Sequence, residues 1–287
     1  MQRISKISFP GLGIGEFEVN SVAFKIFGIE IAWYAIIITC GMLAAVAYVI
    51  NRSKKIGITS EDVLDFALFV IPFGVIGARL YYILTKLEDF PTLESWFDIR
   101  GGGLAIYGGI IAGGLTVLIV CYFKKINFLA FADCVAPGVL LAQGIGRWGN
   151  FMNGEAFGYE TDWFCRMGLQ NSLTGGTLMY VHPTFLYESL WNFLGVLLVD
   201  LYVRRKRYDG EGFLMIFCWY GLGRMFIEGL RTDSLYTNLF GIEFRTSQVL
   251  AALIFAVTAA VLVFFLVKPP IGPKYYRIKE NKKSKKK

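Results

Sequence analysis

Residues 128–158, FLAFADCVAPGVLLAQGIGRWGNFMNGEAFG, carry the reading of the fold in one stretch. From Phe128 to Trp148 the stretch is mostly apolar for the ~20 residues that cross a bilayer core. Its last part, Gly144–Gly158, sets Arg147, Asn150, Asn153 and Glu155 among closely spaced glycines. Ionisable groups at a membrane span are costly and by default mark function. Arginine with amide side chains and exposed backbone N–H groups suits a phosphate. The other reading is a polar turn that caps a membrane helix, and the block alone leaves both open.

The rest of the chain extends the membrane reading. The 287 residues are 55% hydrophobic, with a mean hydropathy of +0.52, a composition that excludes a soluble domain. Further apolar stretches run over 23–50, 63–85, 103–123, 183–203, 212–230 and 246–267. The expected fold is all-α and polytopic, with seven transmembrane helices, the second bent at Pro72 and the fourth at Pro137. Basic clusters follow alternate spans: Arg52, Lys54 and Lys55; Lys124 and Lys125; Arg204–Arg207; and the C-terminal tail. Positive residues favour the cytoplasmic side. All four clusters share that side if the N-terminus is outside and the C-terminus cytoplasmic. The acidic loop 86–102 then lies outside.

On this plan residues 1–267 form a seven-helix membrane domain. A small extracytoplasmic head of short strands or turns is inserted at about 149–182, and segment 1–22 lies outside, along the interface. Residues 268–287 form a basic cytoplasmic tail with nine Lys/Arg and one acid, Glu280, which accounts for the formal charge of +7. Such a tail reads as a topology signal and a contact for anionic membrane lipids, with no nucleic acid as partner. The first twenty residues lack the pattern of a cleaved signal peptide, so the first span is expected to direct insertion. Four of the five cysteines fall in apolar segments and no CxxC occurs. This points to neither a disulfide framework nor a zinc site, and no metal or cofactor is expected.

Placed by depth, the polar groups of six spans fall toward the outer leaflet. They are Tyr34, Arg79, Tyr107, Arg147 with Asn150, the group His182, Tyr187 and Glu188, and the group Arg224, Glu228 and Arg231. Arg224 lies roughly 18 Å into a core of about 30 Å. Arg224, Glu228 and Arg231 share one helix face at spacings i, i+4, i+7. Ion pairs among these groups are read first as structural. If all converge, four arginines face Glu155, Glu188 and Glu228, and the surplus of positive charge calls for an anion such as a phospholipid phosphate. His182, the one histidine, is read as a capping or loop-binding residue ahead of a general base. The glycines at 109 and 113 suit close helix packing.

These motifs resemble a known family. GRWGNFMNGEAFG, HPTFLYES and YGLGRMFIEGLR, in this order, are similar to the prolipoprotein diacylglyceryl transferases of bacteria, as are GARLYY at 77–82 and GGGLAIYGG at 101–109. The similarity runs from Ala32 to Leu266. It implies a multi-pass enzyme of the bacterial inner membrane, with its site toward the outer leaflet. Such an enzyme moves the diacylglyceryl group of phosphatidylglycerol to the lipobox cysteine of a preprolipoprotein signal peptide and releases glycerol phosphate. By position, the resemblance implies catalytic roles for Arg147 and Arg224. It implies substrate contacts at Asn150, Glu155, Gly158, Tyr34, Tyr220 and Glu228, to which the polar layer adds Asn153, Arg79, Glu188 and Arg231. Some members carry a histidine before the paired glycines of the third span. Here that residue is Tyr107, so a histidine base does not carry over and the task falls to Tyr107 or to another route. A lipid or anion transporter would also line a cavity with arginines, but it needs polar groups on both faces. A structural assembly factor needs no arginine surplus.

Overall fold

The computed structural model describes residues 4–97, 102–234, 236–239, 242–268 and 270. Its helices are α1 (Trp33–Ser53), α2 (Ser60–Thr85), α3 (Leu93–Phe97), α4 (Ile106–Lys124), α5 (Phe128–Asn153), α6 (Thr184–Val203), α7 (Glu211–Glu228) and α8 (Thr246–Val267). Its strands are β1 (Ile4–Phe9), β2 (Ile14–Asn20), β3 (Val22–Ile26), β4 (Ile29–Ala32), β5 (Met167–Gln170), β6 (Met179–Val181), β7 (Tyr236–Leu239) and β8 (Ile242–Arg245). Among the described residues six helical segments are long and apolar enough to cross a membrane. The expected span not among them is the sixth, at 212–230, which is α7, whose 18 residues include Glu211, Arg224 and Glu228. Pro72 and Pro137 lie inside α2 and α5. Each removes one backbone N–H from its helix.

The all-α expectation is corrected by three small antiparallel sheets among the described residues, of order β2-β1-β5-β6, β3-β4 and β7-β8. The first span begins at Trp33, ten residues later than expected at 23. Residues 22–32 instead form the β3–β4 hairpin. Their apolar residues made them look like part of the span, but the turn is set by Phe27 and Gly28, both at positive φ (49° and 81°). Two successive positive φ values match the twist of a two-residue hairpin. Strands β1 and β2 join β5 and β6 in the head sheet. Apolar side chains of that sheet, Ile7, Leu169 and Val181 among them, bury Phe185 at the start of α6, and Phe151 and Met152 of α5 pack against the same core. Nearly all of the basic tail lies outside the described residues.

Among the described residues the chain divides into two compact units. One runs to Ala45 and resumes at Val135; the other is Val46–Cys134. In the second unit α2 packs on α4. A Cβ on Gly77 would lie 2.8 Å from Gly108 O, and a Cβ on Gly108 would overlap Gly77 O and Tyr81 Cβ. Close packing through small residues occurs here, tightest at Gly77 against Ala112 and next at Gly108, whereas Gly109 and Gly113, the pair expected for it, have only ordinary contacts at 3.4 Å and 3.7 Å. At one end Thr59 and Asp62 close a capping box at the start of α2. Lys124, in the last turn of α4, meets Asp62 at 2.9 Å and Asp65 at 2.6 Å.

In the first unit the helices lock through indoles. Trp191 of α6 and Trp219 of α7 stack with centroids 4.1 Å apart. Each Nε1 donates to the other's backbone carbonyl at 3.0 Å. Gly195 and Gly223 leave the room, since a Cβ on either would run into the facing indole. Trp148 of α5 donates to Ser189 Oγ at 3.1 Å, and Ser189 Oγ donates to Gly144 O at 2.9 Å. These bonds hold α5, α6 and α7 in register.

Replacing Gly108 by alanine is expected to force α2 and α4 apart at a cost of about 1–3 kcal/mol. The measurement is the thermal midpoint of the purified protein in detergent. Gly114→Ala, where nothing lies within 4 Å of the new Cβ, is expected to leave that midpoint unchanged.

Candidate functional site

The polar block at the end of α5 folds as a turn built for its neighbours. Gly154 takes φ +59° and Ala156 φ +56°, and Asn171 Nδ2 donates to Gly154 O at 2.8 Å and to Ser5 Oγ at 3.1 Å. Glu155 accepts from Asn150 Nδ2 at 3.2 Å and from Asn153 Nδ2 at 3.0 Å. The two asparagines expected to touch substrate therefore hold a carboxylate. Gly158 sits where the backbone crosses between two others. Its N–H donates to His182 O at 3.0 Å, and Tyr159 N–H donates to Leu230 O at 2.8 Å. A Cβ at Gly158 would lie 2.7 Å from His182 Cβ and 2.8 Å from Leu230 O, so only glycine fits. This crossing ties the start of α6 to the end of α7, which places their charged residues side by side.

Those residues meet on one carboxylate. Glu188, buried on α6, receives Arg147 Nη2 from α5 at 2.5 Å. It also receives Arg224 Nη1 from α7 at 3.2 Å and Arg231 Nη1 at 3.1 Å. Arg224 has a second acid, Glu228, at 2.6 Å. That contact is charged but not aligned as a hydrogen bond at Glu228 Oε2. Arg231 has Asp233, with Nη2 to Oδ2 at 2.7 Å and Nε to Oδ1 at 2.9 Å. Arg147 differs from both. Among the described residues its carboxylate is Glu188 alone, shared with two other cations, and its remaining contact is Asn150 Oδ1 at 3.4 Å. Its side chain is also the most open of the three, 24% exposed against 16% for Arg224 and 10% for Arg231.

The charge count changes accordingly. Asp233, which sequence reading passed over because it lies beyond the span, adds a third carboxylate to the three arginines. Arg79 is held by backbone carbonyls of its own unit. It belongs to the second unit, is 6% exposed, and donates to the carbonyls of Ser95, Trp96, Gly102 and Gly103 at 2.7–3.1 Å. It also lies over the Phe90 ring. The three arginines that meet on Glu188 face three carboxylates, and the anion argument rests on the sharing of Glu188. Tyr107 is the second residue of α4, in the second unit, and is half-buried. Tyr34 packs on Gly149, where a Cβ would lie 2.8 Å from its ring. Tyr220 lines a cavity beside Glu188 and Arg224. His182 takes a structural place: its Nδ1 lies 3.2 Å from Tyr187 Oη, which lies 3.2 Å from Cys165 Sγ. Burial lowers its pKa from the ordinary 6.5, so it is neutral at physiological pH.

Asp233 gives the cluster a pH dependence. Burial raises its pKa, but the hydrogen bond and charge of Arg231 outweigh this and hold the carboxyl below its usual value. A carboxylate with a lowered folded pKa adds stability above its unfolded pKa of about 3.9, and that stability is lost as pH falls through the folded value. Asp233→Asn is expected to flatten the fall of the thermal midpoint on acidification below about pH 4. An unchanged acid limb would show that the pair with Arg231 contributes nothing.

Comparison with known proteins bears directly on this arrangement. The family model described as prolipoprotein diacylglyceryl transferase matches residues 21–264. A phosphatidylglycerol–prolipoprotein diacylglyceryl transferase of Enterococcus faecalis is 43% identical over 280 residues, covering 93% of this chain and 97% of the relative. One from Clostridium perfringens is 47% identical over 223 residues, covering 76% and 85%. One from Listeria monocytogenes is 39% identical over 274 residues, covering 92% and 96%. The matched region takes in the helices that carry Arg147, Glu188 and Arg224, and the chain belongs to the prolipoprotein diacylglyceryl transferase family.

Proposed function

We propose that the chain transfers the diacylglyceryl group of phosphatidylglycerol to the cysteine thiol of a prolipoprotein, and that the cluster on Glu188 receives the lipid phosphate. The names of the relatives supply the two substrates. One observation carries the placement of the phosphate. Three guanidiniums converge on a single carboxylate, and the most open of them, Arg147, has no acid of its own. A phosphate oxygen beside Arg147 would satisfy donors that Glu188 now divides among three cations. Arginine forks suit phosphate oxygens.

The chain crosses the bacterial cytoplasmic membrane seven times, with α7 as the charged span, the N-terminus outside and the site toward the outer leaflet. The alternation of basic clusters along the sequence supports this topology. So does the packing of α7 against both α6 and α8, two helices apolar enough to span.

In the reaction the cysteine acts as thiolate, the nucleophilic form of a thiol. Its sulfur attacks the glyceryl carbon that bears the phosphate ester. A C–S bond forms, the C–O bond breaks, and the electron pair passes to the phosphate oxygen. Glycerol phosphate leaves with one more negative charge, and the thiol proton is released. Arg147 and Arg224 stabilise the charge that grows on the leaving oxygen. Asn150 and Asn153 act through Glu155, Gly158 acts through the backbone crossing, and Glu188, Glu228 and Arg231 hold the two arginines in place. Tyr34 packs the outer end of α5. The assignment of Tyr107 to the thiol proton rests on its position in the family pattern.

Arg147→Ala is expected to lower transfer by about 10²–10³-fold in kcat. The assay is the diacylglyceryl mass gain of a lipobox peptide incubated with the purified protein and phosphatidylglycerol. Arg147→Lys, which keeps the charge and loses the fork, is expected to fall between. Normal transfer by both Arg147→Ala and Arg224→Ala would remove the cluster from the chemistry. For Tyr107 the comparison is Tyr107→Phe across pH. A fall in rate with an altered pH profile is expected, and unchanged rates would leave the hydroxyl without a role.

A further inference from the structure

One helical turn away from the charged cluster lies a layer of uncharged polar side chains. Asn192 follows Glu188 by four residues on α6. Tyr220 precedes Arg224 by four on α7, and Gln143 precedes Arg147 by four on α5. Helix α5 ends at the head, α6 starts from it, and α7 ends at the backbone crossing with it. All three offsets therefore lead the same way, away from the head, by about 6 Å along the helix axes.

Two of these side chains lack partners within the protein. Asn192 is 5% exposed, and its side-chain amide makes no hydrogen bond among the described residues. It lines a small open cleft, with a cavity volume of about 10 Å³, together with Glu188, Trp191, Tyr220 and Arg224. Gln143 Oε1 is also buried and unbonded. A buried amide oxygen without a partner, as at Gln143, is costly, and the unbonded Asn192 amide opens onto the cleft. Helix packing alone would be served better by an apolar residue at either position. The Asn192 amide faces a cavity bordered by the cluster that receives the phosphate in the reading above.

We propose that Asn192 donates its amide N–H to an acyl ester carbonyl of the diacylglyceryl group, and so sets the depth of the carbon that the thiolate attacks. The proposal rests on the phosphatidylglycerol reading. With the phosphate held at Arg147, the two sides of the lipid differ. The free glycerol headgroup points toward water and the head of the protein. The ester carbonyls lie on the acyl side of phosphorus, a few bonds and on the order of 5 Å away. This separation matches the step from the arginines to Asn192. An ester carbonyl only accepts hydrogen bonds, and the Asn192 amide has two N–H donors to give. Asn192 is thus a positioning residue of the transferred group, which selects a glyceryl diester at this depth.

The test compares diester phosphatidylglycerol with its diether analogue, which keeps the phosphate, the headgroup and the chain length but lacks both carbonyls. Full-length protein in mixed micelles is assayed for transfer to a lipobox peptide by mass gain, and kcat/KM is measured for each lipid. The wild type is expected to favour the diester by about 2- to 10-fold, the span of one hydrogen bond. In Asn192→Leu, which keeps the volume without the amide, the ratio is expected to fall to about one. A ratio that persists in Asn192→Leu overturns the proposal and leaves the amide to a bound water. A wild-type ratio of one overturns it without any variant, whether or not the leucine form folds. No transfer from either lipid by the wild type would instead strike the transferase reading itself.

Discussion

A single carboxylate shared by three guanidiniums is the constraint on which this molecule is built. Glu188 brings Arg147 of α5 to one point with Arg224 and Arg231, which lie seven residues apart. Removing one partner of a buried pair leaves an uncompensated charge, at a cost of about 3–5 kcal/mol. The three helices that carry these groups must therefore keep their register closely. Much of the surrounding structure serves that end. The paired indoles of Trp191 and Trp219 fix α6 against α7. The bond from Trp148 to Ser189 fixes α5 against α6. The backbone crossing at Gly158 joins the entry to α6 with the exit from α7.

The head formed by β1, β2, β5 and β6 belongs to the same logic. Its four-stranded sheet buries Phe185 and packs Phe151 and Met152 on one core. The end of α5 and the start of α6 are thus anchored together. Arg147 lies four residues before Phe151, and Glu188 three residues after Phe185. Each charged group is about one turn from an aromatic anchor. Because Arg231 and Arg224 hold acids of their own, the sharing at Glu188 leaves Arg147 the least committed cation. A cluster that is balanced by count still has one place where a further anion gains contacts.

Six of the expected spans were legible because apolar length is written directly in composition. The motif residues of the site were legible for a related reason: ionisable groups stand out in an apolar sequence. Other features were hidden by the same rule. The β3–β4 hairpin is apolar enough to read as helix, and only the paired positive φ values at Phe27 and Gly28 separate it from α1. Asp233 lies past the span, so a count by depth omitted it. Arg79 is as conspicuous in sequence as Arg147, yet backbone carbonyls use its guanidinium. Asn192 drew no attention as a neutral residue in an apolar helix, although its spacing of four from Glu188 was a signal within reach.

The sequence by itself determined a membrane protein with a charged site near one end of its helices, and through its motifs the family. These depend on local properties: run length, charge and the order of short segments. Tertiary structure decided how the charges are divided. It gave Glu188 three partners and placed Asp233 against Arg231. It made Asn150, Asn153 and Gly158 supports of the site, and left the Asn192 amide facing a cavity. Pairing depends on which side chains meet across helices, and that is set by packing at a few glycines and indoles, whose outcome no single segment contains.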